Sequence, residues 1–129
     1  MRVDLHPKLV AIRNQLIADP SVYALIAKRV HDHVPQPPTY PYSEFGAEFF
    51  EPWDTTDTEG AEWFPTIHVH SQKRGRTECR AIMTAITLAL HDREPPGFVF
   101  LQIDDARIER RTERQSTHGI IRLRALITN

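Results

Sequence analysis

At 129 residues, 40% apolar and 26% charged, with a net charge of −1, the chain has the size and composition of one soluble globular domain spanning 1–129. The near-neutral balance argues against a general nucleic-acid binder, and the single cysteine, Cys79, rules out an internal disulfide. The opening Met1-Arg2-Val3-Asp4-Leu5-His6-Pro7 lacks the apolar core of a secretion signal, and no apolar run reaches the roughly 18 residues of a membrane span, so synthesis in the cytosol is expected.

In chain order, Asp4 is a plausible N-cap and Pro7 suits a first helical turn, where a missing N–H costs nothing. Leu9, Ile12, Leu16 and Ile17 then line one face of a helix that ends near Asp19-Pro20. Ser21 can cap a short second helix carrying Val22, Leu25 and Ile26. Arg29 to Val34 alternates like a short strand, and the proline-rich Pro35 to Pro41 is an extended connector. Tyr42 to Phe50 reads as a strand with Phe45, Ala47 and Phe49 on one face and Glu44, Gly46 and Glu48 on the other, ended or kinked by Pro52. A polar turn from Asp54 to Gly60 joins it to a second strand, Ala61 to Ser71, as a long hairpin.

The strongest helix signal runs from Arg76 to His91. Cys79, Ile82, Met83, Ile86 and Leu90 recur at spacings of three and four, and Thr77, Arg80, Thr84, Thr87 and His91 form a narrow polar stripe. Ala81, Ala85, Leu88 and Ala89 widen the apolar arc, so a flank is expected to meet the other helix or a second subunit. His91 to Gly97 is a stop. Phe98 to Arg110 is a strand whose apolar phase slips, from odd positions (Val99, Leu101, Ile103) to even ones (Ala106, Ile108), which implies a bulge at Asp104-Asp105. The last strand, Thr117 to Thr128, turns Ile121, Leu123, Ala125 and Ile127 inward and His118, Arg122 and Arg124 outward. The whole predicts an α+β two-layer sandwich: a mainly antiparallel mixed sheet with two long helices on one face. Its other face, with Phe64, Thr66, His68, His70, His118, Arg122 and Arg124, is expected to be exposed.

Charge is divided along the chain. Val30 to Gln72 holds no Lys or Arg but contains Glu48, Glu51, Asp54, Asp57, Glu59 and Glu62, while Lys73, Arg74 and Arg76 and the run Arg107 to Arg114 follow it. Such a surface can attract a copy of itself, acidic patch to basic patch; the alternative is a merely solubilising loop.

Chemistry is hard to find in the residues. His68-x-His70 and His31-x-His33 each place two imidazoles on one strand face, with His91 or His118 as conceivable third metal ligands, but no His-Glu-x-x-His or cysteine pair accompanies them. Asp104 and Asp105, adjacent on a strand, point to opposite faces unless a bulge re-aims one. Cys79 sits on the apolar helix face, where packing is expected rather than nucleophilic chemistry. The glycines form neither a phosphate loop nor a nucleophile elbow. Pro37-Pro38-Thr39-Tyr40 matches a short proline–tyrosine ligand motif but serves equally as a rigid lead-in. The basic turn Lys73 to Arg76 could touch phosphates but lacks interleaved aromatics. No catalytic residue, metal site or cofactor is assigned.

Taken together, Leu16 to Ile26 around Asp19-Pro20, Arg29-Val30, Val34-Pro35, Pro41-Tyr42, Phe45-Gly46, His68-Val69-His70-Ser71, Gly75, Glu78, Ile82, Leu90 and Gly119 to Ala125 resemble the tail-completion, or tail-terminator, family of long-tailed phages, prophages and gene transfer agents. The resemblance implies a non-enzymatic virion protein, made in the bacterial cytoplasm. It would form a homo-oligomeric ring, a hexamer, on the head-proximal end of the tail tube. The ring would end tube polymerisation and meet a head-completion protein, with DNA passing through the lumen without sequence-specific binding. On that view Glu48, Glu51, Asp54, Asp57, Glu59, Glu62, Lys73, Arg74 and Arg76 are candidate interface residues, and His68, His70, His118, Arg122 and Arg124 face outward or toward the lumen. A head-completion or neck protein, a metal-dependent enzyme using His68 and His70, and a monomeric peptide-binding adaptor are the alternatives.

Overall fold

The computed structural model describes residues 1–111 and 115–129; Arg114, counted above in the basic run, lies outside them. Helix α1 (His6–Ala18) begins at Leu5 without a side-chain cap, so Asp4 does not cap it; Asp4 instead donates its N–H to the Asn129 side chain. Ile12 and Leu16 of α1 are fully buried. Helix α2 (Pro20–Ile26) is capped by Asp19, whose Oδ1 accepts from the N–H groups of Ser21 and Val22 at 3.0 and 3.1 Å. Asp19 therefore holds the capping role expected of Ser21, because Pro20 fits the first helical position and the cap lies two residues earlier.

The sheet has the order β1-β2-β3-β5-β4. Strand β1 is only Val30–His31, shorter than the expected Arg29 to Val34, and pairs in parallel with β2 (Tyr42–Pro52) through Val30↔Ser43 and His31↔Glu44. The other pairings are antiparallel: β2 with β3 (Gly60–Ser71), β3 with β5 (Ser116–Thr128) and β4 (Phe98–Arg111) with β5. The α+β two-layer sandwich and the long β2–β3 hairpin are thus as expected, and β4 shifts register between Ile103 and Asp105 where the phase slip placed a bulge.

The β2 strand departs from its simple alternation. Its register shifts between Phe45 and Glu48, so Gly46 and Ala47 occupy a bulge and the faces exchange beyond it. Phe45 is buried on the core side, Ala47 is exposed, Phe49 is 56% exposed against Phe64 on the other side, and Phe50 stacks on buried Trp63 at 5.9 Å. Phe45, Ala47 and Phe49 therefore do not share a face.

Helix α3 (Thr77–Leu90) covers the core side, with Cys79, Ile82, Met83, Ala85, Ile86, Ala89 and Leu90 buried. Full burial of Ile82, Ile86 and Leu90 stabilises the fold by roughly 1.5–3 kcal/mol each. The Ala85–Ala89 flank turns toward the other helices, where Gln15 of α1 donates to the Ala89 carbonyl. Ala81 and Leu88, on the remaining flank, are exposed. Inward residues Ile67, Val69, Ile121, Leu123, Ala125 and Ile127 complete the core, and no helix of the described residues covers the opposite sheet face.

Candidate functional site

Strict alternation in β3 sends Glu62, Phe64, Thr66, His68 and His70 to the open face. Arg122 and Arg124 join them from β5. Both carry ion pairs across the sheet, Arg122 with Asp105 at 3.5 Å and Arg124 with Glu62 at 3.2 Å, and the Arg124 guanidinium lies 5.4 Å from the centre of the Phe100 ring. Between them and the β2 bulge lies a shallow groove floored by Phe49, Phe64 and Thr66 and edged by Glu48, Glu51, Asp104 and Arg122. Burial, with Asp32 adding to it, raises the Glu48 carboxyl above its usual range.

At the other end of the same face His68, His70 and His118 come together. The pairing His70↔His118 puts two of these rings directly opposite, and their centroids are 4.7 Å apart at an angle of 8°. His68 and His118 lie nearly coplanar, their centroids 4.8 Å apart at 18°, and Tyr42 stacks on His70 at 4.8 Å. His118 is only 6% exposed, so it is not the solvent-facing residue expected from its parity: the neighbouring rings cover it. His68 Nδ1 and His118 Nε2 are 2.6 Å apart, Arg111 Nη2 lies 3.0 Å from His118 Nδ1, and His70 Nε2 meets Glu44 Oε1 at 2.8 Å. Burial, followed by the neighbouring imidazoles and Arg111, pulls His118 down to about 4; burial likewise lowers His68. The Gly46 bulge makes room for this stack, since a Cβ there would run into the His68 ring.

His68 and His118 meet edge to edge, nitrogen to nitrogen, and four of the six ring nitrogens of the cluster are taken up by hydrogen bonds. Among the described residues no group of three or more His, Cys, Asp or Glu side chains converges as metal ligands would. His31 packs against Tyr42, His33 is exposed beyond the end of β1, and His91 accepts from the Ile103 N–H away from the stack. Asp104 and Asp105 are exposed at their bulge. Cys79 is buried, its thiol raised to about 11 by that burial. Tyr40 of the proline-rich segment packs on Tyr42.

The charged residues separate into two poles at opposite ends of the sheet. The β2–β3 turn is acidic. Asp54 binds the N-terminal ammonium at 3.0 Å and accepts from the Gly60 N–H, which holds its carboxyl below the usual range, and Glu59 meets Arg2 at 3.6 Å. Glu51 and Asp57 are exposed and make no ion pair among the described residues. The basic pole lies where β3 leaves the sheet. Arg110 donates to the Lys73 carbonyl and to Thr117 Oγ1, which donates to the Gly75 carbonyl, so the turn with Lys73, Arg74 and Arg76 is stitched to the end of β4. Lys73 pairs with Glu78 at 3.5 Å; Arg74 and Arg76 are exposed. The length of β3 separates the poles by about 36 Å. The sequence reading found the polarity but missed Arg111, Tyr42 and Glu44 around the histidines; position 44 opposite position 68 becomes visible only once the hairpin register is known.

Among solved structures, a chain of the virion of a native gene transfer agent (GTA) particle superposes with a TM-score of 0.84 at 25% identity, over 93% of this chain and 93% of that one. No curated protein sequence matches significantly. The family model described as tail completion protein gp17 matches residues 10–128. That span takes in both charge poles and the histidine stack, and the chain belongs to the tail completion protein gp17 family.

Proposed function

We propose that this chain is a tail-terminator subunit. Copies of it form a ring, a hexamer on the family resemblance, that caps the head-proximal end of a tail tube, ends tube polymerisation and presents a surface to head-completion proteins, with DNA passing through its lumen. The observation that carries this reading is the near whole-chain match to a component of a virion particle. The molecular surface supports it physically. Among the described residues one sheet face has no helix over it, and charges of opposite sign stand at the two ends of the strands. A head-to-tail contact between unlike surfaces closes into a ring when its rotation closes. The protein then works by contact, with the poles and the open face as its working parts, and needs no catalytic group. Measuring particle mass in solution, for the chain alone and mixed with tail-tube protein, tests this. A discrete sixfold species, or tubes of arrested length bearing the protein at one end, is expected. A chain that stays monomeric in both conditions while tubes lengthen unhindered would overturn it.

A further inference from the structure

Hydrogen-bond chemistry alone fixes the protonation of two of the three stacked imidazoles. A guanidinium has donors and no acceptor, so Arg111 Nη2, 3.0 Å from His118 Nδ1, requires a lone pair there. The His118 proton is then on Nε2, and at 2.6 Å it is donated to a lone pair on His68 Nδ1. His68 in turn carries its proton on Nε2, beside the Gly46 bulge. Arg111 thus holds both rings neutral, one directly and one through the other. His70 stands outside this chain: its bond to Glu44 at 2.8 Å is compatible with either charge state.

Among the described residues, the groups facing the two rings are His70 from β3, Arg107, Glu109 and Arg111 from β4, and Glu44 and Tyr42 from β2, with Tyr40 of the connector beyond Tyr42. Glu44 and Glu109 favour an added proton. The two arginines, a protonated His70 and, above all, burial oppose it.

We propose that Arg111, His118 and His68 form a proton-operated latch on the Arg107–Arg111 end of β4. With both imidazoles neutral, each donor meets a lone pair and the latch is closed. A proton added to His118 Nδ1 sets two donors against each other at the Arg111 bond and releases Arg111; one added to His68 Nδ1 opposes the His118 donor, and the mismatch reaches Arg111 when the His118 proton moves from Nε2 to Nδ1. This deepens the ring reading and rests on it in one respect. The basic pole is tied to the same end of β4 through Arg110, so its meeting with the acidic pole of another copy becomes dependent on pH.

The latch itself is read on the isolated chain. In protein labelled with ¹⁵N in histidine, long-range ¹H–¹⁵N correlation spectra from pH 8 down to about pH 3, one unit below the His118 midpoint, report the tautomer and midpoint of each ring, and amide exchange reports protection of Glu109–Arg111 and Thr117–Gly119. The expected result is Nε2–H on His68 and His118 at pH 7.5, with the His118 midpoint near 4 and the His68 midpoint below 6.5. Protection factors at the β4 end should fall at least about tenfold as these rings titrate. Arg111→Gln, whose amide oxygen can accept from a protonated His118, should raise the His118 midpoint and move the loosening to higher pH, while Arg111→Lys keeps a cationic donor and should stay near the wild type. An Nδ1–H tautomer on His118, a midpoint unmoved by Arg111→Gln, or unchanged protection after both rings have titrated would overturn the latch. Failure to assemble at every pH, with these signatures intact, would instead overturn the ring reading and leave the latch standing.

Discussion

His118 shows how much a single side chain depends on what the sheet brings beside it. Its pKa falls from 6.5 to about 4 because a buried imidazolium loses hydration and meets two other imidazoles and Arg111. The unfolded chain therefore binds this proton more tightly than the folded one, so the contribution to stability is complete above pH 6.5 and is lost as pH falls toward 4. A full shift of that size corresponds to about 3 kcal/mol, and solvent at the mouth of the recess trims it to about 2 kcal/mol. His118→Gln keeps a donor for His68 and has nothing to titrate. Urea denaturation at pH 7 and pH 4.5 should accordingly show a smaller loss of stability in the variant than in the wild type by about 1–2 kcal/mol; equal losses would deny His118 this role. Carboxylates that titrate in the same window, including the raised Glu48, largely cancel in that comparison. The sequence placed His68, His70 and His118 on one face because strand parity is local information. Their stacking was not visible, because it follows from the register of β3 against β5, which no local pattern specifies.

Between elements, helix α3 comes down close on the sheet at Gly119. A Cβ there would stand 2.5 Å from Met83 Sδ and 2.9 Å from Cys79 Sγ, so α3 rests on β5 where β5 has no side chain. Gly119→Val should force the helix outward or Met83 out of its rotamer, at a cost of about 1–3 kcal/mol in thermal or chemical denaturation. Combining it with Met83→Ala should cost less than the sum of the two single changes, because the truncated side chain vacates the space the valine needs. Strict additivity would mean that the two positions do not touch. The element patterns were legible where periodicity and packing agree. The α3 face, the β2–β3 hairpin and the Asp104-Asp105 bulge each leave a mark in the order of apolar residues. The β2 bulge left none, because Phe45, Ala47 and Phe49 alternate regularly while the backbone between them does not, and the exchange of faces becomes apparent only from Phe50 stacking on Trp63. The cap of α2 was misplaced by two residues because Asp19 and Ser21 flank Pro20 and both are chemically able to cap.

At the scale of the whole molecule the separation of charge is the property that acts over distance, and the structure distinguishes which acidic residues are free to act. Asp54, Glu59 and Glu62 are engaged within the chain by the N-terminal ammonium, Arg2 and Arg124, so reversing them would disturb the hairpin as well as the pole. Glu51 and Asp57 are exposed and make no ion pair among the described residues, so Glu51→Lys with Asp57→Lys reverses the pole while leaving the fold within about 0.5 kcal/mol of the wild type. If unlike poles meet in the ring, this variant should associate with itself at least about tenfold more weakly by analytical ultracentrifugation. Raising the salt from 0.1 to 0.5 M should weaken the wild type in the same direction, since exposed charges are screened within about 10 Å at 0.1 M and over a shorter range above it. The decisive arm is complementation. Arg74→Glu with Arg76→Glu reverses the basic pole, and a subunit carrying both pairs of changes presents two reversed poles that again attract each other. Recovery of assembly in that subunit, with each pair alone defective, would place the two poles in contact with each other. Defects that simply accumulate would show that each pole faces a different partner, and would shift the contact between subunits to the open sheet face around Phe49 and Phe64.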